Sequence, residues 1–308
     1  NSSDEIDYIT GDMGANTSRS LLVFDFIMNG DLEWEIDGNA VAFATGFQYR
    51  QDDVSNKNYG DARCADNKPC QPELHFLPMT YDSANENKNY AFFGELSLPV
   101  SENLDIDLGV RYEDYDVDDI TVPKVSAFYK VSDTLALRAS YEEVFRTPII
   151  PNAIDTSLER IGGEYYEVQT PIPTNLQPES SDNINLGLIW TPVEGMRVNL
   201  DYYSLDMVDP IGKVSTTSPL AIYNCADGTN YSPPAAKPDT CQLINVTTNA
   251  INGEGIETDG LDFQMLYDFE TSMGQAQVGF NGVYLLNYDI DGCLTAGCDK
   301  YDAAGKYN

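Results

Sequence analysis

The segment Leu104-Asp-Ile-Asp-Leu-Gly-Val-Arg-Tyr-Glu113 decides how this chain is read. Leu104, Ile106, Leu108, Val110 and Tyr112 fall on one side of an extended chain, and Asp105, Asp107, Gly109, Arg111 and Glu113 on the other. Such period-two alternation is the mark of a strand with one apolar face. It recurs along the chain. Leu135, Leu137, Ala139 and Tyr141 alternate with Thr134, Ala136, Arg138, Ser140 and Glu142. Ile184, Leu186, Leu188 and Trp190 oppose Asn183, Asn185 and Gly187. Val41, Phe43, Thr45, Phe47 and Tyr49 oppose Gln48 and Arg50, and Leu261, Phe263, Met265, Tyr267 and Phe269 oppose Asp262, Gln264 and Asp268.

About ten strands follow, several near the length that crosses a bilayer when tilted. They lie near 19–29, 39–52, 89–99, 103–115, 120–131, 133–145, 180–191, 195–210, 254–270 and 273–289. Their connections are of two kinds. Pro99 to Asn103, Val131 to Asp133, Pro192 to Gly195 and Glu270 to Gly274 are tight, whereas 53–88, 146–179 and 211–253 are long. A less regular turn spans 30–38 and a short acidic one runs from Tyr115 to Asp119. Tight turns at one end and long loops at the other describe an all-β, antiparallel, up-and-down transmembrane barrel with short periplasmic turns and long extracellular loops. A soluble β-sandwich also alternates, but three features disfavour it. The polar faces carry Gly and small residues. Loops this long are rare in compact soluble domains. Aromatics gather near strand ends, at Tyr90, Tyr112, Tyr141, Trp190, Tyr202, Tyr203, Tyr267 and Tyr288, as in interfacial girdles.

The chain has 308 residues, a net charge of −33 and a single histidine, His75. That acidity excludes nucleic acid as a partner, since phosphates are repelled. No apolar run reaches eighteen residues, so no membrane-spanning helix is expected. Six cysteines fall into local pairs, Cys64 with Cys70, Cys225 with Cys241 and Cys293 with Cys298, each in a polar loop. Neither a C-x-x-C spacing nor a histidine array accompanies them, so disulfides are favoured over a metal, and with them an oxidising compartment. No catalytic constellation, phosphate-binding Gly-rich loop or cofactor motif is present, and no enzyme activity is expected. The clusters Asp114, Asp116, Asp118, Asp119 and Asp289, Asp291, Asp299 do not follow calcium-loop spacing and read as solvated acidic loops.

Several segments resemble TonB-dependent outer-membrane receptors. Leu135-Ala-Leu-Arg-Ala-Ser-Tyr-Glu-Glu-Val-Phe-Arg-Thr-Pro148 is similar to the family strand that ends in Phe-Arg-x-Pro. Leu176-Gln-Pro-Glu-Ser-Ser-Asp-Asn-Ile-Asn-Leu-Gly-Leu-Ile-Trp190 is similar to its Leu-x-Pro-Glu segment and the strand after it. Leu200 to Ile211, Glu257 to Phe263 and Gly46 to Arg50 resemble further strands in the same order. The motif positions are therefore Phe145, Arg146, Pro148, Leu176, Pro178 and Glu179. Pro148 removes a ladder donor and stops pairing where a long loop begins, and Arg146 can meet Glu179 as an ion pair at the rim.

The resemblance implies a partial barrel domain over residues 1–308, with a plug domain and C-terminal strands lying outside the chain. It implies active import of a scarce nutrient across the bacterial outer membrane, the cargo being siderophore-iron, cobalamin or an oligosaccharide. The implied partners are the TonB energy-coupling protein, acting through the plug, together with outer-membrane lipid, lipopolysaccharide and a small ligand. No cofactor is implied. Ligand contacts would lie on the long loops, where Tyr165, Tyr166, Tyr223 and Tyr231 offer rings for stacking and Arg160 and Lys213 offer charge to an anion. The competing reading is a non-transporting outer-membrane barrel or surface adhesin.

Overall fold

The computed structural model of the chain describes residues 13–60, 82–115, 118–147, 154–173, 175–291, 301–302 and 304. β1 (Met13–Ile36) and β2 (Asn39–Gly60) form a hairpin closed by Asp37 and Gly38, whose φ angles are 51° and 80°. Asp-Gly tolerates positive φ at both turn positions, and that turn has the twist of the strands it joins. β3 (Ser83–Ser101), β4 (Leu104–Tyr115), β5 (Asp119–Ser132) and β6 (Leu135–Arg146) continue the meander. The connection after β6 carries β7 (Ile154–Ile161) and β8 (Glu164–Pro171), and the chain returns as β9 (Glu179–Trp190) and β10 (Met196–Val208). The next long connection carries β11 (Ile211–Lys213), β12 (Ile222–Cys225), β13 (Asn230–Tyr231), β14 (Leu243–Thr247) and β15 (Ala250–Asn252). β16 (Gly255–Thr271), β17 (Gly274–Asp291) and β18 (Tyr301–Asp302) follow.

Eleven strands form one sheet in the order β1-β2-β3-β4-β5-β6-β9-β10-β16-β17-β18, and every pairing within it is antiparallel. This is the up-and-down meander that the alternation of turns and loops predicts. β1 and β18 are its edges, so the sheet is open among the described residues. The strands outrun their apolar stretches. β2 continues to Gly60 and β3 starts at Ser83, inside the segment read from sequence as a loop. β1 likewise runs through the 30–36 segment, where the register shifts between Asp31 and Glu35. Ladder hydrogen bonds belong to the backbone, so they persist past the point where side chains stop being apolar.

Register sorts the two faces. Leu104 lies opposite Tyr129, which lies opposite Leu137; Ile106 opposes Ala127, Ala127 opposes Ala139, and Ala139 opposes Leu186. Leu108, Val110, Leu135 and Leu188 share that face. Arg50, Asp105, Asp107, Arg111 and Arg138 share the other. The apolar face is not packed against a second sheet: Leu108, Val110 and Leu186 are 41%, 51% and 50% exposed. In the large sheet only Val41 and Ala91 are buried apolar residues among those described, which is how a lipid-facing surface looks without its lipid. The girdle is corrected at two points. Past the register shift between Asp259 and Gly260, Tyr288 lies opposite Thr258 on the polar face, and so does one of the adjacent pair Tyr202 and Tyr203 lie on that face. Tyr202 lies opposite Leu186 and Leu261 on the apolar face, so its neighbour Tyr203 points to the polar one, as period two requires.

Candidate functional site

The site begins at the rim, where β6 ends and β9 begins. Arg146 and Glu179 are opposite in register, and Arg146 Nη2 donates to Glu179 Oε1 at 2.8 Å while Nε donates to Oε2. Glu179 is buried, and its Oε1 also accepts the Ile211 backbone N–H at 2.5 Å. One carboxylate therefore ties the ends of both long connections. Phe145 meets Tyr115 edge-on at 5.9 Å. Leu176 and Pro178 are half-buried on the approach to β9, where the Gln177 backbone N–H donates to Asn252 Oδ1 and Asn252 Nδ2 donates to Gln177 O, each at 2.9 Å. Pro148 lies outside the described residues.

Beyond the rim the connections read from sequence as plain loops build a body of their own. β7 and β8 from one connection join β12, β13 and β14 from the other in a five-stranded sheet, ordered β13-β12-β14-β8-β7. β14 and β8 run parallel, the only parallel pair among the described strands, and β11 pairs with β15 separately. One face of the sheet carries a core of Val168, Ala221, Tyr223, Leu243 and Val246, with Ile161, Tyr166 and Tyr231 packed on it. Here, rather than in the large sheet, apolar burial drives folding. The Cys225–Cys241 disulfide staples the second connection, with Cα atoms 5.1 Å apart. Cys64, Cys70, Cys293 and Cys298 lie outside the described residues. Thr216 Oγ1 donates to Glu159 Oε2 at 2.8 Å and the Thr248 N–H donates to Gln169 O at 2.8 Å, lacing one connection to the other.

The candidate rings divide between the faces of this body. Tyr223 is buried, its ring centroid 4.9 Å from that of Tyr231, and its hydroxyl donates to Thr216 O at 3.0 Å. Burial pushes the Tyr223 and Tyr231 phenols up, and the 2.7 Å hydrogen bond to Glu164 does the same for Tyr166. Tyr165 points the other way and is 59% exposed, opposite Arg160 in register. Arg160 is exposed, with Nε donating to Gly163 O at 3.2 Å, and Lys213 is exposed on β11. In the turn after β12, Thr229 donates its N–H and hydroxyl to Asp227 and holds that carboxyl below its ordinary range. Among the described residues no group of three or more His, Cys, Asp or Glu is placed to hold a metal ion.

Sequence reasoning did not pair Arg138 with Asp201. Arg138 reaches from β6 across Gly187 of β9 to Asp201 of β10, with Nε at 2.9 Å and Nη2 at 2.7 and 2.8 Å. On the same polar face Glu113 accepts from Asn89 at 2.9 Å and from Arg111 and Tyr115, and Arg111 also donates to Gln48 at 3.1 Å. The interior surface is thus a chain of paired charges and amides, suited to a wet or plugged lumen.

Over residues 1–307 the sequence matches the family described as TonB dependent receptor-like, beta-barrel. The chain belongs to that family. TonB-dependent receptors are outer-membrane transporters, not enzymes. Among solved structures the chain is similar to a substituted form of the ferric enterobactin receptor PfeA from Pseudomonas aeruginosa, at 15% identity and a TM-score of 0.65, over 89% of this chain and 37% of that one. It is similar to the siderophore receptor PirA from Acinetobacter baumannii at 15% identity and a TM-score of 0.61, over 90% and 41%. The copper transporter OprC aligns at 13% identity and a TM-score of 0.53, over 91% and 42%. No curated protein sequence matches. The chain therefore spans about two fifths of the receptors it resembles, and at these identities the likeness is one of fold.

Proposed function

We propose that the receptor containing this chain binds a small nutrient ligand at its loop end and imports it with energy delivered by the TonB protein. The observation that supports this reading is the loop body. A barrel that only lets solutes diffuse needs no ordered surface outside the membrane, whereas here two long connections share a five-stranded sheet, a core and a disulfide. Such a surface is organised before a ligand arrives, which lowers the ordering cost of binding. The named neighbours are a ferric enterobactin receptor, a siderophore receptor and a copper transporter, and the cargo of this receptor shares their general character: scarce, small and bound before it is moved.

Uptake of labelled ligand by cells with and without the energy-coupling protein tests the proposal. Uptake should stop when coupling is removed while surface binding persists. Uptake that continues unchanged would mean a passive pore. Deleting 154–173 from the full receptor should abolish binding and leave the large sheet folded, because β6 and β9 pair directly without it.

A further inference from the structure

We infer that the polar face of the loop sheet, opposite its core, binds a neutral polyhydroxylated ligand such as an oligosaccharide. The inference rests on the receptor reading above and names its ligand class. Register places Asn224, Asn245 and Glu167 in one row across β12, β14 and β8, with Thr247 and Gln169 in the row beside it and Tyr165 in the row on the other side. The core residues Val168, Val246 and Tyr223 alternate with these and face away. Asn224 Nδ2 donates to Asn245 Oδ1 at 2.7 Å and to Thr247 Oγ1 at 3.0 Å, so the amides are fixed in orientation.

Glu167 forms the floor. It is only 8% exposed; its Oε1 accepts from Gln169 Nε2 at 2.6 Å, and its Oε2 has no hydrogen-bond partner among the described residues. A buried carboxylate oxygen without a donor is costly and calls for one. An anionic ligand would meet this carboxylate with repulsion. A ligand that only donates, such as an ammonium, would suit Glu167 and leave the Asn245 side-chain N–H groups unmatched. A hydroxyl donates and accepts at once, as a side-chain amide does, so a polyol answers the whole row. The exposed Tyr165 ring lies beside it as a platform for the apolar face of a sugar, giving large contact area with few rotatable bonds.

The test uses the full receptor in detergent, probed with neutral gluco-, xylo- and manno-oligosaccharides. The best binder is then titrated by calorimetry into wild type, Tyr165→Ala, Tyr165→Phe, Glu167→Gln and the double variant Asn224→Ala with Asn245→Ala. Tyr165→Ala and the double variant should each lose about tenfold or more in affinity, and Tyr165→Phe should keep it. Glu167→Gln should weaken binding by a similar factor, since an amide oxygen is the poorer acceptor. Tyr165 is exposed, so its variants fold regardless, and protection of the Cys225–Cys241 bond from reductant checks the others. Absence of binding to every oligosaccharide, or affinity unchanged by Tyr165→Ala and the double variant, overturns the inference. If that happens while energy-coupled uptake of another ligand stands, the receptor reading survives. Uptake that ignores coupling would sink the receptor reading whatever the sugars do.

Discussion

Gly187 shows what a single residue does in the large sheet. It lies between Arg138 and Asp201, and a Cβ there would fall on Asp201 Oδ1 and within 2.5 Å of Arg138 Nε. The glycine is a gap across which two charged side chains meet from strands that are not neighbours. Gly46 lies under the ring of Phe93, and Gly260 under that of Tyr203, in the same way. Gly187→Ala should therefore displace the ion pair and cost about 1–3 kcal/mol, the usual range for overpacking. Gly109→Ala, where the nearest heavy atoms would be 3.6 Å away, should stay within about 0.5 kcal/mol. Urea midpoints of the two variants refolded in detergent check this, and equal losses would refute it. The small residues on the polar faces were legible in the sequence. What they make room for was not, because Arg138 and Asp201 are 63 positions apart and separated by a strand. Arg146 and Glu179 were legible as partners because the motif segments that hold them end and begin adjacent strands.

Elements carry a second consequence of register. Glu143, Asp182, Asp206, Glu257 and Asp289 lie directly opposite one another across β6, β9, β10, β16 and β17, on the outer face past the apolar band. Like charges directly opposed destabilise a sheet, and salt screens them beyond about 10 Å at 0.1 M and closer at higher concentration. Raising NaCl from about 0.02 to about 0.5 M should raise the thermal midpoint of the receptor in uncharged detergent. The variant Asp206→Asn, which neutralises the carboxylate flanked by Asp182 and Glu257, should be more stable at low salt and less sensitive to it. A midpoint that falls with salt, or identical slopes in both proteins, would show that the row is not repulsive. At this scale the sequence placed all ten long strands but not the eight short ones among the described residues. Two- to eight-residue strands have too few alternating positions to show a period, and β8 pairs with β14 only because two distant connections fold together.

The whole molecule has two bodies of different physics. The large sheet is shaped for lipid on one face and a polar interior on the other, while the loop body has its own apolar core and a disulfide. They should unfold separately. Replacing Cys225 and Cys241 by Ala removes a cross-link of sequence separation 16, worth about 3 kcal/mol by loop-closure entropy, all of it from the loop body. Calorimetry of the full receptor should show a low-temperature transition that moves down in this variant and a barrel transition that does not move. Trypsin should cut within 211–253 of the variant first. One merged transition, or a shift of both, would show that the bodies fold as a unit.

The sequence by itself determined the ten long strands, their antiparallel order and the apolar face along most of their length. These depend on period-two alternation and on the lengths of connections, and both are local properties of the chain. It also paired Cys225 with Cys241, which lie at a sequence separation of 16 within one loop. Only the tertiary structure decided that the long connections fold into a body, that Tyr223 and Tyr231 close its core while Tyr165 stands outside it, and that Glu167 lines up with Asn224 and Asn245. The physical reason is that those contacts join residues from two connections far apart in the chain. No local pattern encodes a pairing whose partner lies on another loop, and only the packing of both loops against each other selects it.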